Sequence, residues 1–413
     1  MRSLLYLPLI WAILIPSGWG FVAPEVDSAS PFSGHYQATD YQETYRPQFH
    51  FSPRNGWMND INALWYVDGI YHMTYQWGTN KRDGGYTSST DLLHWNDHGL
   101  ALIGRSSHAR EAGAKQNVSG DQIYSGSGIV VSGQVAAKIT GSPKPTLITF
   151  YTGTKVGTCI AWSNDHGQTW HNYEKNPVAH PTTGDTPRDP CVIWHEATKK
   201  WILAIYEEGT TFYGSKDLIT WKRLSNLRFG FECPDLVELP LDGDPEKMKW
   251  VLYDAAGKYL VGHFDGTYFF DENKSKEDLY MDVGPDFYAG QTFFPQTLPE
   301  KKYIQLAWMD EWNGGIDEKP WERNATFPVE LGLVTRDGMM RVTRTPIAAI
   351  KKLYTGSTVR ITNQNLNHEN ILKEVRSKAF DMTVSFDLEG ATADEIVFEF
   401  ASIKYRYNIA DQK

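Results

Sequence analysis

Short apolar runs interrupted by turn residues dominate the first 340 residues of the chain. Residues 63–76 form two β-rich runs hinged at Asp68-Gly69, and residues 146–162 and 192–206 repeat that hairpin pattern. Residues 249–264 and 268–308 are further paired runs, the second with a long irregular middle. Two of the hairpins lead into the same signature, S-x-D-L-x-x-W, at Ser89-Thr90-Asp91-Leu92-Leu93-His94-Trp95 and Ser215-Lys216-Asp217-Leu218-Ile219-Thr220-Trp221. A looser copy runs through Ser163, Asp165 and Trp170. Strand, turn, strand, then an Asp-led turn into a Trp strand is a four-stranded antiparallel unit. Its recurrence every 50 to 75 residues or so matches the blades of a β-propeller. One such sheet cannot bury both faces, whereas sheets set radially cover each other and leave few free edges. The expectation is an all-β, five-bladed propeller over residues 45–345; a β-sandwich with fortuitous similarity is the alternative. In a propeller the innermost strands converge on a funnel, where residues distant in sequence meet.

The texture changes after residue 340. Residues 346–354 read as a short helical connector, and 379–387 and 395–407 alternate as strands. A C-terminal β-sandwich therefore begins at about residue 355. The stretch 355–413 is short against the roughly 100 residues of a complete two-sheet sandwich, so the module reads as incomplete, by truncation or abbreviation.

Residues 1–20 have Arg2, an apolar run from Leu4 and small residues at Gly18 and Gly20, the form of a secretory signal peptide. A membrane anchor is the alternative, but it needs roughly 20 apolar residues, and this run is shorter and holds Pro8. The reading is a secreted protein with no membrane association once the leader is removed. Sequons at Asn117, Asn273 and Asn324 are compatible with glycosylation.

Composition narrows the partners. A net charge of -10 argues against nucleic acid, whose phosphates call for a basic stripe. The 15 Trp, 22 Tyr, 35 Gly and 21 Pro suit short strands joined by tight turns and exclude disorder, coiled coil and collagen. Tryptophan faces also stack on sugars, although a β core takes up many of them. The 3 cysteines are too few for a disulfide scaffold and leave at least one thiol free, and no zinc-binding spacing occurs.

Three carboxylates occupy comparable positions at the starts of units. Asp60 lies in Trp57-Met58-Asn59-Asp60-Ile61-Asn62-Ala63, Asp189 in Arg188-Asp189-Pro190, and Glu232 in Phe231-Glu232-Cys233-Pro234-Asp235. Each taken alone is more readily a turn cap or a surface ion pair. Brought together in a funnel, like charges separate their pKa values, so that one carboxyl keeps a proton while others ionise. Glycoside cleavage needs that division of labour.

These segments, with Gln76, Tyr124-Ser125-Gly126-Ser127, Phe150-Tyr151-Thr152-Gly153 and Tyr288-Ala289-Gly290-Gln291-Thr292-Phe293, resemble glycoside hydrolase family 32, the family of invertases, inulinases, levanases and related fructosyltransferases. The resemblance implies a five-bladed catalytic propeller followed by a β-sandwich. It implies Asp60 as nucleophile, Glu232 as acid/base and Asp189 as transition-state stabiliser. Asn59, Trp57, Gln76, Ser127 and Arg188 fall at substrate-binding positions, with Trp77 and Trp312 as further aromatic candidates. The activity implied is hydrolysis of terminal β-D-fructofuranosyl linkages in sucrose or a fructan through a covalent fructosyl-enzyme. A retaining route places the two reacting carboxyls about 5 to 5.5 Å apart, and the chemistry calls for no metal or organic cofactor.

Two departures bear on activity. The family continues Trp-Met-Asn-Asp with Pro-Asn-Gly, whereas Ile61 and Ala63 stand here for Pro and Gly. Gly84-Gly85-Tyr86 stands where Trp-Gly-His is common, in a stretch, 77–86, expected to border the leaving-group side. A fructosyltransferase using the same intermediate, or a carbohydrate-binding propeller impaired in catalysis, are the alternatives.

Overall fold

The computed structural model describes residues 7–10, 41–43, 46–78, 81–107, 110, 114–179, 186–293, 298, 302–309, 320–366, 370–376, 380–400 and 403–410. Most of residues 1–20, read above as a signal peptide, and Trp312 lie outside these residues. The chain divides into two compact units, Gly20–Thr355 and a smaller one combining Met1–Trp19 with Gly356–Lys413.

The larger unit is built of antiparallel sheets taken in sequence order. The first contains Gly56–Val67, Ile70–Gly78, Asp83–Ser89 and Trp95–Leu102, and the second Ile123–Val131, Thr146–Gly153, Gly157–Ser163 and the short His171–Asn172. Arg188–His195, Lys200–Tyr206, Thr210–Ser215 and Lys222–Leu227 form the third. A 10-stranded sheet follows, in which the meander Asp235–Leu241, Asp244–Tyr253, Lys258–Phe264 and Phe269–Asp271 is joined to Phe287–Thr292, Ile304–Met309, Val329–Arg336 and Met339–Pro346 by a single parallel bridge, Leu241 to Leu333.

The strands Gly56–Val67, Ile123–Val131, Arg188–His195, Asp235–Leu241 and Phe287–Thr292 lie beside one another in that order, and the last returns to touch the first. The sheets therefore close into a ring with these strands innermost, as a propeller requires. Closure is completed by Trp321–Glu322, which pairs in parallel with Gly56 and Trp57 at the edge of the first sheet.

Apolar faces fill the gaps between adjacent sheets. Trp65 is fully buried, and its Nε1 donates to the carbonyls of Ile129 and Ile148 in the second sheet, at 3.0 and 3.1 Å. Ile148, Phe150 and Ile160 of the second sheet pack with Val192, Leu203 and Ile205 of the third. Cys191, Ile202 and Phe212 meet Leu236, Leu252 and Phe264 across the next gap. Cys159, Cys191 and Cys233 are buried free thiols.

The repeated signature has one physical basis. Ser89 Oγ accepts the amides of Asp91 and Leu92, and Asp91 Oδ1 accepts those of Leu93 and His94. Ser215 and Asp217 do the same for Asp217, Leu218, Ile219 and Thr220. Trp95 and Trp221 each donate Nε1 to the carbonyl of the motif leucine, whose backbone is left-handed at φ 65° for Leu92 and 66° for Leu218. In the looser copy Ser163 Oγ accepts the amide of Gly167. These turns link the third strand of a sheet to its fourth. The Asp and Ser side chains satisfy amides that a tight turn would leave bare.

The stretch 77–86 divides differently from expectation. Trp77 and Gly78 end one strand, while Gly84, Gly85 and Tyr86 lie buried inside the next. Gly85 is required because a Cβ there would fall 2.4 Å from the Tyr75 ring. Tyr86 donates to the carbonyl of His166 and meets His72 Nδ1 at 2.7 Å. Only the short connection ending in Lys81 and Arg82 remains as rim.

In the smaller unit Leu7–Ile10 pairs antiparallel with Asp381–Val384, and Glu395–Phe400 forms a hairpin with Ile403–Asn408. The connector is a 3-10 helix, Ala348–Leu353. Among the described residues no helix is long and apolar enough to cross a membrane. The sequon asparagines serve the fold: Asn117 Nδ2 donates to Ala101 O, Asn273 Nδ2 donates to Met340 O, and Asn324 is buried.

Candidate functional site

Four of the five innermost strands bring a polar side chain to the funnel at or near a break in their ladders. Asp60 sits within Gly56–Val67, where the register shifts between Met58 and Ile61 and again before Ala63. Ser125 lies at the shift between Tyr124 and Gly126, Asp189 at the one between Arg188 and Cys191, and Tyr288 beside the one before Gln291. Bulges of this kind re-aim side chains, which is why they gather at active sites.

Glu232 comes from the loop ahead of Asp235–Leu241. Its backbone and those of Asp189 and Cys233 are left-handed, at φ 56°, 63° and 41°. Non-glycine residues held this way cost on the order of 1 kcal/mol each and persist where their surroundings enforce them. Here Asp254 Oδ2 accepts the amide of Phe231, the amide of Ala255 donates to Glu232 O, and the amide of Asp189 donates to Thr152 Oγ1.

The expected carboxylates form one connected network. Gln76 Nε2 donates to Ser125 Oγ at 2.9 Å, and Ser125 in turn donates to Asp60 Oδ2. The Cys233 thiol reaches the same oxygen at 3.4 Å, while its amide donates to Asp189 Oδ2 at 3.3 Å. Arg188 bridges the other two acids, with Nε 3.4 Å from Asp189 Oδ2 and Nη2 2.8 Å from Glu232 Oε1. The Tyr288 hydroxyl donates to Glu232 Oε2 at 2.6 Å. The Arg188 guanidinium lies against the Tyr206 and Phe231 rings.

Crowding sets the charges. Burial raises the Asp60 carboxyl, opposed by the Ser125 and Cys233 hydrogen bonds and reinforced by the charge of Glu232. Burial and the neighbouring Asp60 push Asp189 up to about 8 despite Arg188, so this cluster retains a proton through neutral pH. Burial works against the charge of Arg188, but its ion pairs prevail and raise its pKa. Tyr288 is raised by burial and by its bond to Glu232, so it stays a donor. Cys233 is likewise pushed well up by burial and the surrounding acids, which makes the thiol a neutral donor rather than a nucleophile.

The remaining expected residues differ in placement. Asn59 is half-buried and receives a hydrogen bond from Arg323 Nη1, whose guanidinium lies over the Trp308 ring. Trp57 is half-buried beside Arg82. Ser127 Oγ accepts the amide of Val192, tying the second sheet to the third. Ile61 and Ala63 are fully buried, so the altered turn is absorbed into the core while Asp60 keeps its partners. Asp235 ends the segment Phe231-Glu232-Cys233-Pro234-Asp235. It binds the ring together, accepting from Cys191 Sγ, Tyr253 Oη and the Thr292 amide.

The family model for the glycosyl hydrolases family 32 N-terminal domain matches residues 50–345, which contain every residue of this network. The chain belongs to glycosyl hydrolase family 32. Among family 32 relatives, it is 33% identical over 394 residues to a levanase of Bacillus subtilis, covering 87% of this chain and 55% of that protein. Invertase 1 of Saccharomyces cerevisiae is 31% identical over 331 residues, covering 72% of this chain and 59% of that one. The chain thus spans little more than half the length of these curated relatives. In structure it is similar to an exo-inulinase from Aspergillus awamori, with a TM-score of 0.62 at 29% identity over 74% of this chain and 68% of the other. A fructofuranosidase variant from Schwanniomyces occidentalis, solved with fructosylnystose, gives 0.63 at 28% identity over 75% and 64%.

Proposed function

We propose that this family 32 chain is a secreted, retaining β-fructofuranosidase that removes terminal β-D-fructofuranosyl units from sucrose or a fructan. The observation that carries this reading is the continuous network Gln76–Ser125–Asp60–Cys233–Asp189–Arg188–Glu232–Tyr288, which sets three carboxyl groups in one funnel with different partners. We read the 10-stranded sheet as two blades joined by the Leu241–Leu333 bridge, giving five in all.

Asp60, oriented by Ser125 and Cys233, attacks C2 of the fructosyl unit while Glu232 protonates the departing oxygen. The covalent fructosyl-enzyme is then opened by water, whose proton Glu232 takes, and fructose leaves with its original anomeric configuration. Asp189, holding its proton, binds fructose hydroxyls, and Arg188 keeps Glu232 and Asp189 apart in charge and position. Asn59, Trp57, Gln76 and Ser127 belong to the fructosyl-binding wall, with Gln76 acting through Ser125.

The test is a panel of sucrose, raffinose, inulin and levan with wild type, Asp60→Ala and Glu232→Ala, followed by NMR of the anomer first released. Wild type should liberate fructose with retention, and both variants should lose turnover while keeping their melting transitions. Undiminished activity in Asp60→Ala, or initial release of the inverted anomer, overturns the mechanism. Trisaccharide formation from concentrated sucrose would mark transfer instead.

A further inference from the structure

Arg82 closes the short connection between the second and third strands of the first sheet, and its backbone is fixed there. Its amide donates to Gln122 Oε1 at 3.2 Å and its carbonyl accepts the amide of Ile123 at 3.0 Å. The guanidinium carbon lies 5.7 Å from the centre of the Trp57 ring and 5.2 Å from that of Tyr124. No hydrogen bond or ion pair engages the guanidinium among the described residues. Charged neighbours are occupied or turned away: Asp83 is buried and accepts the amide of Gly104, and Lys81 is exposed.

The aromatic seat is itself preset. Gly78 lets the Trp57 ring lie against the turn, because a Cβ at that position would fall 2.7 Å from Trp57 Cζ2 and 2.1 Å from Lys81 O. Trp57 stands three residues before Asp60 on the same strand, and Tyr124 immediately precedes Ser125, the donor to Asp60. Arg82, Trp57 and Tyr124 are all half-buried, so the site is open at its rim.

We propose that Arg82, seated on Trp57 and Tyr124, binds the leaving-group sugar, the unit next to the fructosyl residue that Asp60 attacks. With two rings at 5.2 and 5.7 Å and no carboxylate among the described residues engaging it, the guanidinium keeps its planar fork of N–H donors for a ligand. A pair of neighbouring hydroxyls on a neutral sugar accepts from that fork, and the adjacent aromatic faces suit the sugar's C–H face. Arg82 is thereby a specificity residue that touches the departing unit and leaves the fructosyl unit to the buried network. This inference rests on the fructosidase reading above.

Arg82→Met removes the donors and keeps the apolar stem, and Arg82→Lys keeps the charge without the fork. Both are compared with wild type on sucrose and on p-nitrophenyl β-D-fructofuranoside, whose leaving group has no hydroxyl pair. A hydrogen bond from a charged donor corresponds to roughly 10- to 100-fold in kcat/KM. Arg82→Met is expected to lose that factor on sucrose, to stay within about 3-fold on the aryl substrate, and Arg82→Lys to recover only part of the loss. Equal losses on both substrates, or none on either, overturn the proposal. Should the methionine variant fail to fold by its melting curve, the lysine variant is judged by the same substrate ratio. If wild type cleaves neither these substrates nor inulin or levan, the fructosidase reading fails and takes this inference with it; if wild type cleaves both and the ratio is unmoved, this inference alone fails.

Discussion

Replacing Asp189 by Asn should change how stability depends on pH. Asp189 is 5% exposed and its carboxyl is raised from 3.8 to about 8. A carboxyl raised on folding binds its proton more tightly in the native state than in the unfolded chain. Between the two values the native state therefore holds more protons, and stability falls as pH rises. The contribution is fully present below about pH 4 and lost as pH approaches 8. Each pKa unit is worth about 1.36 kcal/mol, so the span from pH 5 to 8 is worth up to about 4 kcal/mol. Asp60 raises the Asp189 carboxyl and Arg188 lowers it, so the two titrations are coupled and we take roughly half, about 2 kcal/mol, as the working figure. Asn preserves the contacts, because Cys233 N and Arg188 Nε both approach the single oxygen Oδ2. The assay is thermal melting of wild type and Asp189→Asn at pH 5 and pH 8. The variant should gain on wild type by about 4 to 8 °C between those pH values, taking roughly 2 to 4 °C per kcal/mol. A difference in Tm that does not change with pH would refute the assignment of a retained proton to this site.

Two further outcomes follow from the hydrogen bonds. Ser125→Ala removes the hydroxyl whose hydrogen bond favours ionised Asp60, so the Asp60 carboxyl should rise further. The acidic limb of the kcat/KM profile should move to higher pH; a limb left in place means that Ser125 does not act on Asp60. Ser89→Ala and Ser215→Ala each strip the acceptor from two turn amides in equivalent positions, so each should cost about 1 to 2 kcal/mol in chemical denaturation. Markedly unequal losses would deny that the two turns are one repeated device.

The repeat and the carboxylates were legible because both are written in contiguous residues. A serine and an aspartate two apart, with a leucine and a tryptophan following, have to satisfy neighbouring amides, so the turn is local and its recurrence shows in the sequence. Asp60, Asp189 and Glu232 stand inside short distinctive segments, and the chain order of those segments survives folding. Ser125 and Tyr288 lay inside quoted motifs, yet their contact with Asp60 and Glu232 depends on which way a strand residue points. Arg323 carried no signal at all: its reach to Asn59 depends on a left-handed backbone, φ 67°, that its side chain type does not favour. Gly84 and Gly85, which suit a loop, are here small enough to let Leu102 and Tyr75 close over a buried strand, so only the part of 77–86 between Gly78 and Asp83 is a connection.

The ladder breaks explain why alternation could not reveal the site. In a regular strand successive side chains face opposite sides, so Arg188 and Asp189 could not both serve one pocket. The shift between Arg188 and Cys191 removes that restriction, and the two neighbours reach Glu232 and Cys233 respectively. The same device turns Asp60 and Ser125 toward each other from adjacent sheets. The blade cores tolerate any well-packed apolar set, whereas each irregularity must hold a charged or hydroxylated group against its own burial. That burial raises the Asp60 and Asp189 carboxyls together. The irregular strand segments and the raised carboxyls are thus two aspects of one arrangement: the bulges bring the acids together, and burial with crowding holds Asp60 and Asp189 toward their protonated forms.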